Sequence, residues 1–160
     1  MLSVRSQLIH ACAATGCGAL PGMHQLSAQI SEAPVGGKES ILAVEDNVGL
    51  RSVVVRQLAQ LGYQVFEAED GPSALKILDK EKIDLVFTDV IMPGGMSGYD
   101  LGRAALGRWP GIKVLLTSGF PEEKLNGNGS PPWNMRLLIK PYRKQDMARV
   151  LRQVLDEQPG

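Results

Sequence analysis

Five residues of this chain have side chains suited to joint chemistry: Glu45, Asp46, Asp89, Thr117 and Lys140. Each stands at the end of a short apolar run. Residues 41–44 end at Glu45 and Asp46, residues 85–88 at Asp89, residues 114–116 at Thr117, and residues 137–139 at Lys140. If these runs are parallel strands, their carboxyl ends share one sheet edge, the edge where open α/β folds bind ligands. Three carboxylates crowded together repel one another and are costly unless a cation joins them. Oxygen donors without histidine or cysteine suit magnesium, which keeps several waters and accepts phosphate oxygens. Magnesium does not account for the lysine opposite. An anion between metal and lysine does, and a phosphoryl group on one of the carboxylates fits that place. A carboxylate is a competent nucleophile for forming an acyl phosphate, and phosphoryl transfer needs mainly positioning and charge neutralisation.

The elements that must position these residues follow from the pattern between them. After the first run, Leu50, Val53, Val54, Leu58 and Leu61 recur at helical spacing, and Gly62 is a natural helix stop. Residues 65–68 read as a second strand. Asp70, Gly71 and Pro72 then start a helix whose apolar side is Ala74, Leu75 and Leu78. The loop Met92-Pro93-Gly94-Gly95 leads to a third helix, ending near Trp109-Pro110-Gly111. The last helix carries Met147, Val150, Leu151, Val154 and Leu155 at clean helical spacing. Strands alternating with amphipathic helices predict a parallel sheet covered on both faces. Residues 120–135 hold Asn126-Gly127-Asn128-Gly129 and Pro131-Pro132, poor helix material, so the helix expected there is short or displaced.

Four motifs carry a family resemblance: Val44-Glu45-Asp46-Asn47, Phe87-Thr88-Asp89-Val90-Ile91-Met92-Pro93-Gly94, Leu115-Leu116-Thr117-Ser118-Gly119 and Ile139-Lys140-Pro141-Tyr142. Singly each is weak; in order and at suitable spacing they are strong. Residues 39–157 resemble a response-regulator receiver domain of two-component phosphorelays. The subtype is similar to receivers of hybrid sensor histidine kinases, through Pro93-Gly94-Gly95 and the Thr117-Ser118-Gly119-Phe120 run. The resemblance implies a doubly wound α/β fold: a five-stranded parallel sheet of order 2-1-3-4-5 in a flavodoxin-like three-layer sandwich.

The resemblance also implies roles. Asp89 matches the phosphoryl acceptor. Asp46 matches a direct magnesium ligand, Glu45 the second acid, and the Ile91 main-chain carbonyl a further ligand. Thr117 matches the hydroxyl that bonds the phosphoryl oxygens, and Lys140 their ion-pair partner, followed by a cis bond to Pro141. The implied donor is a phosphohistidine on a sensor histidine kinase or histidine phosphotransfer protein, and a homodimer is left open. Two departures stand out. Leu137 occupies a place where receivers often carry an aromatic residue that moves with the threonine. Ile91 and Gly119 flank the position of an attacking water, and neither side chain can hydrogen-bond it, so phospho-Asp89 is expected to hydrolyse without side-chain help.

Each residue also has a plainer reading. Asp46 and Asn47 could cap a helix, Asp89 could be a solvated strand end, Thr117-Ser118-Gly119 a turn, and Lys140-Pro141 a strand stop. The full set favours the signalling reading. A magnesium-dependent phosphatase with an aspartyl nucleophile is a second reading, but such enzymes commonly need an acid where Ile91 stands. A non-phosphorylated interaction module is a third, against which the acids, Thr117 and Lys140 argue.

The bulk properties agree. With 160 residues there is room for one domain and a tail. Hydrophobic residues at 44% and charged residues at 21% indicate a globular chain. Lys plus Arg and Asp plus Glu are 17 each, which gives no electrostatic reason to expect nucleic acid or an anionic membrane as partner. No apolar run reaches the roughly 18 residues of a bilayer span, and the start makes a poor secretory signal, so a cytoplasmic location is expected. Residues 1–38 read as an irregular extension or linker, residues 39–157 as the receiver, and residues 158–160 as a tail. Cys12 and Cys17, near His10 and His24, match no zinc signature and read as free thiols. No output domain is visible, which points to a stand-alone receiver or the receiver end of a hybrid kinase.

Overall fold

Five apolar runs become five parallel strands because both faces of the sheet they form are covered, so neither face needs alternating polar residues. The computed structural model describes residues 36–120 and 135–158. In chain order the elements are β1 (Ser40–Val44), α1 (Val48–Gln60), β2 (Gln64–Ala68), α2 (Gly71–Leu78), β3 (Leu85–Asp89), α3 (Gly98–Arg108), β4 (Lys113–Ser118), β5 (Met135–Ile139) and α4 (Lys144–Asp156). The sheet order is β2-β1-β3-β4-β5, every pairing parallel, as expected. The chain moves from β1 outward to β2, then returns to the other side of β1 for β3. That reversal opens a crevice at the carboxyl ends of β1 and β3.

Side chains alternate across the sheet. Leu42, Val44, Val86, Val114 and Leu116 face α2 and α3, meeting Ala74, Leu78, Leu101 and Ala105. Ile41, Ala43, Leu85, Phe87, Leu115 and Leu138 face α1 and α4, meeting Val54, Leu58, Met147, Leu151 and Val154. Fully burying one such aliphatic side chain contributes roughly 1.5–3 kcal/mol. Two apolar layers of this kind can therefore carry the cost of charged groups gathered at one rim.

Helix starts follow local chemistry. The Asn47 side chain accepts from the Leu50 N–H at 3.0 Å and caps α1. Asp70 accepts from the Ser73 N–H at 2.8 Å and caps α2, with proline in its first turn. Ser97 and Asp100 form a reciprocal capping box on α3. Gly62, at φ 93°, takes the left-handed conformation that turns the chain from α1 into β2.

One expectation is corrected. Leu50 and Val53 are not part of the buried face of α1; both are exposed, whereas Val54, Leu58 and Leu61 are buried. Val53 lies about 100° around the helix from Val54. Leu50 falls in the first turn, directly after the acids at the sheet edge. The expected helix between β4 and β5 lies outside the described residues, as do His10, Cys12, Cys17 and His24. Among the described residues no helix is long and apolar enough to cross a membrane.

Candidate functional site

The register of the strands places the site. Asp89 is the last residue of β3, and its Cα partner on β4 is Thr117. The Val90 N–H donates to the Thr117 carbonyl at 2.9 Å, so the pairing continues one residue past the acid. On the next strand over, the Lys140 N–H donates to the Ser118 carbonyl at 2.7 Å. On the other side of β3, the Glu45 N–H donates to the Ala68 carbonyl at 3.2 Å and extends β1 toward β2. Across the rim the order is therefore Glu45, Asp89, Thr117, Lys140.

Lys140 reaches back over β4. Its Nζ donates to Asp89 Oδ2 at 2.7 Å and lies 3.4 Å from Glu45 Oε2. The remaining carboxylate oxygens are held by main chain: Ile91 N–H donates to Asp89 Oδ1 at 3.2 Å, and Asn47 N–H to Glu45 Oε1 at 3.3 Å. The Lys140–Pro141 bond is cis, as the resemblance implied. Thr117 and Ser118 are buried, while Asp46 and Ile91 are exposed at the mouth.

Burial and charge set the protonation behaviour. Glu45 is only 6% exposed, and burial pushes its carboxyl above the ordinary glutamate range; the Asp89 and Asp46 carboxylates push the same way, against the Lys140 charge. Burial pulls the Lys140 ammonium down, but the hydrogen bond to Asp89 and the charges of Asp89 and Glu45 outweigh it, and its pKa is raised. Tyr142, edge-on to Phe87 at 6.4 Å between centroids, has its phenol pushed up by burial.

The donor set is oxygen only and fits a hard divalent cation. Among the described residues no three His, Cys, Asp or Glu side chains are gathered closely enough to enclose a metal. Magnesium does not require such a cage, since it binds through one or two carboxylates and keeps waters and phosphate oxygens as other ligands. A lysine already shared by two of the acids shows that the rim accommodates positive charge.

The structure thus brings Glu45, Asp89 and Lys140 into contact and sets Thr117 beside Asp89, with Asp46 and Ile91 adjoining. Leu137 packs with the α2 and α3 layer. Two contributors escape a reading of motifs. Gly98 opens α3 directly behind Asp89: a Cβ there would stand 2.1 Å from the Asp89 carbonyl oxygen. Arg51 donates through Nη1 to the Glu45 carbonyl at 2.7 Å. Its signal in the sequence is a cation in the first turn of a helix, where the macrodipole disfavours one.

The response regulator receiver domain family matches residues 41–152. The chain belongs to this family. As a receiver, it is a phosphoacceptor signalling domain of two-component phosphorelays. It is 32% identical to the response regulator receiver protein CpdR of Brucella abortus, over 72% of this chain and 95% of that protein. It is similar to the crystal structure of the receiver domain of hybrid histidine kinase CckA, with 35% identity and a TM-score of 0.61 over 73% of this chain and 99% of that one. The receiver domain of a Pseudomonas aeruginosa sensor histidine kinase, solved with magnesium in its active-site cleft, shares the fold at 22% identity, with a TM-score of 0.64 over 76% of this chain and 100% of that one. The receiver spans only 13% of the length of the sensor kinase CckA of Brucella abortus.

Proposed function

We propose that Asp89 accepts a phosphoryl group from a phosphohistidine on a partner kinase or histidine phosphotransfer protein. The observation that carries this reading is the contact of Lys140 Nζ with Asp89 Oδ2 at 2.7 Å, on a rim shared with Glu45 and Thr117. In the step, an Asp89 carboxylate oxygen attacks phosphorus. A P–O bond forms, the P–N bond of phosphohistidine breaks, and its electron pair returns to the imidazole. The product is an aspartyl phosphate.

Lys140 holds the Asp89 carboxylate before transfer and is close enough to turn its ammonium to a phosphoryl oxygen afterwards. Thr117 offers a hydroxyl from the neighbouring strand. Asp46 and Asp89, with the Ile91 carbonyl, would hold magnesium directly and Glu45 would hold it through water, as the oxygen donor set supports. Bound there, magnesium would neutralise charge on the phosphoryl oxygens. Exposed Ile91 and Gly119, beside which a Cβ would meet nothing within 4 Å, leave water access without a hydrogen-bonding side chain.

The same reading places the receiver at residues 39–157, in the cytoplasm, with a protein rather than nucleic acid as partner. It acts by switching partner binding and not by turning over a substrate. Phosphotransfer tests it: a phosphohistidine donor loses its label to this chain in the presence of magnesium, while a generic phosphoester releases no phosphate. Steady release of phosphate from the phosphoester would favour a phosphatase.

A further inference from the structure

The first turn of α1 carries a charge of the wrong sign for its position. A helix start is positive, so arginine there is disfavoured. Arg51 nevertheless stands four residues after the N-cap Asn47, with its N–H donating to the Asn47 carbonyl at 2.8 Å. Its side chain is only 15% exposed. Nη1 donates at 2.7 Å to the main-chain carbonyl of Glu45, and Nε lies 3.6 Å from Glu67 Oε2 on β2. The Glu67 side chain is 61% exposed, so that ion pair contributes little. The sheltered contact is the one to the carbonyl.

That carbonyl belongs to the planar peptide joining Glu45 to Asp46. Fixing it fixes the direction in which Asp46 leaves the chain. Every other polar group of Glu45 is already held: its N–H by Ala68, Oε1 by the Asn47 N–H, and Oε2 by Lys140. Asp46 is exposed and its side chain neighbours that of Glu45, so the peptide joining the two residues helps set its placement. Arg51 also brings positive charge to the rim from behind, through a main-chain oxygen, and so occupies no carboxylate oxygen itself.

We propose that Arg51 is a positioning residue for the acid pair, setting the Glu45–Asp46 peptide so that both carboxylates serve one divalent cation. The proposal rests on the reading that these acids bind magnesium. Supporting groups behind metal ligands typically change affinity by about ten- to hundredfold when removed.

The test is a magnesium titration by calorimetry on the full chain and its variants. Arg51→Met is expected to weaken magnesium about ten- to hundredfold, with acetyl-phosphate labelling restored to the wild-type rate at saturating magnesium. Arg51→Lys, whose ammonium can still reach the carbonyl, is expected to fall between the two. Glu67→Gln is expected to bind as wild type does. In metal-free protein, the Asp46 amide nitrogen resonance of Arg51→Met should move away from its wild-type position, because the carbonyl of the same peptide loses its donor. Wild-type magnesium affinity in Arg51→Met with a lowered urea midpoint would mean a merely structural role and would overturn the proposal. Labelling that stays slow at saturating magnesium would overturn it too, by showing a direct catalytic role. If Arg51→Met does not fold, wild-type affinity in Arg51→Lys together with an unmoved Asp46 amide resonance is the overturning result. Failure of wild type itself to bind magnesium would count against the reading of the site, and the Asp46 amide resonance would still decide the role of Arg51.

Discussion

The Lys140 ammonium donates to the Asp89 carboxylate at 2.7 Å across 51 residues of sequence. It does so by reaching over β4, the strand that carries Thr117. Lysine and acceptor therefore meet only if all three strands keep their register, which couples the chemistry of the rim to the integrity of the sheet.

Removing that lysine should show in both stability and reactivity. Lys140→Met leaves the Asp89 and Glu45 carboxylates without their shared cation. Breaking a fully buried pair costs about 3–5 kcal/mol. Because Lys140 is 27% exposed, a loss of about 1–2 kcal/mol is expected after solvent screening. Urea denaturation at neutral pH measures it. Acetyl-phosphate labelling should fall at least about tenfold, since a charge that stabilises the transition state is lost. The raised Lys140 pKa sets the pH window: the pair's contribution is fully present below the ordinary lysine value of 10.5 and is lost as pH rises through the higher folded value. Lys140→Met should lack that alkaline loss.

Glu45 should trade stability for cation binding. Burial raises its pKa above the ordinary 4.5, so the native state holds the proton more tightly than the unfolded chain. Stability therefore declines as pH rises from that value through the folded pKa. Glu45→Gln should raise the urea midpoint of metal-free protein at pH 7 and flatten this part of the pH profile. Magnesium affinity should fall at the same time. A lowered midpoint in the metal-free variant would contradict the account.

Two glycines in one helix should respond with opposite signs. A Cβ at Gly98 would stand 2.1 Å from the Asp89 carbonyl oxygen and 3.0 Å from the Val90 Cα. Both neighbours are backbone and can yield only by moving the acceptor. Gly98→Ala should cost about 1–3 kcal/mol and slow labelling. At Gly107 a Cβ would meet nothing within 4 Å, so Gly107→Ala should stabilise by about 0.4–1 kcal/mol and leave labelling unchanged. Paired urea titrations and labelling time courses distinguish them.

The lifetime of the phosphorylated state should depend on position 91. Ile91 is exposed two residues after Asp89 and offers no hydrogen bond to water. Ile91→Asn supplies one and should speed loss of the aspartyl phosphate by about tenfold through better orientation of the attacking water. An unchanged decay rate would remove the basis for that assignment.

Much of this was legible because a doubly covered parallel sheet demands continuous apolar strands. Polarity begins where the strands end, so the steps from Val44 to Glu45 and from Ile139 to Lys140 mark the rim directly. Strand lengths were less legible. β4 begins at Lys113 and runs through Ser118, because ladder hydrogen bonds are made by the backbone and do not need apolar side chains. The burial of Glu45 beside the exposure of Asp46 was hidden, since it depends on how far β1 pairs beyond its last apolar residue. The exposure of Leu50 and Val53 was hidden as well: helical spacing gives a face but not how much of it the sheet covers. Arg51 and Gly98 act through main-chain atoms of Glu45 and Asp89, and a pattern of side chains does not display such contacts.

Acetyl-phosphate labelling with magnesium, followed by peptide mass spectrometry, tests the central claim most directly. The account predicts one phosphoryl group per chain, located on the peptide that contains Asp89, and none on Asp89→Asn treated in the same way. Equal labelling of wild type and Asp89→Asn, or a phosphoryl group on another residue of the wild type, would contradict it.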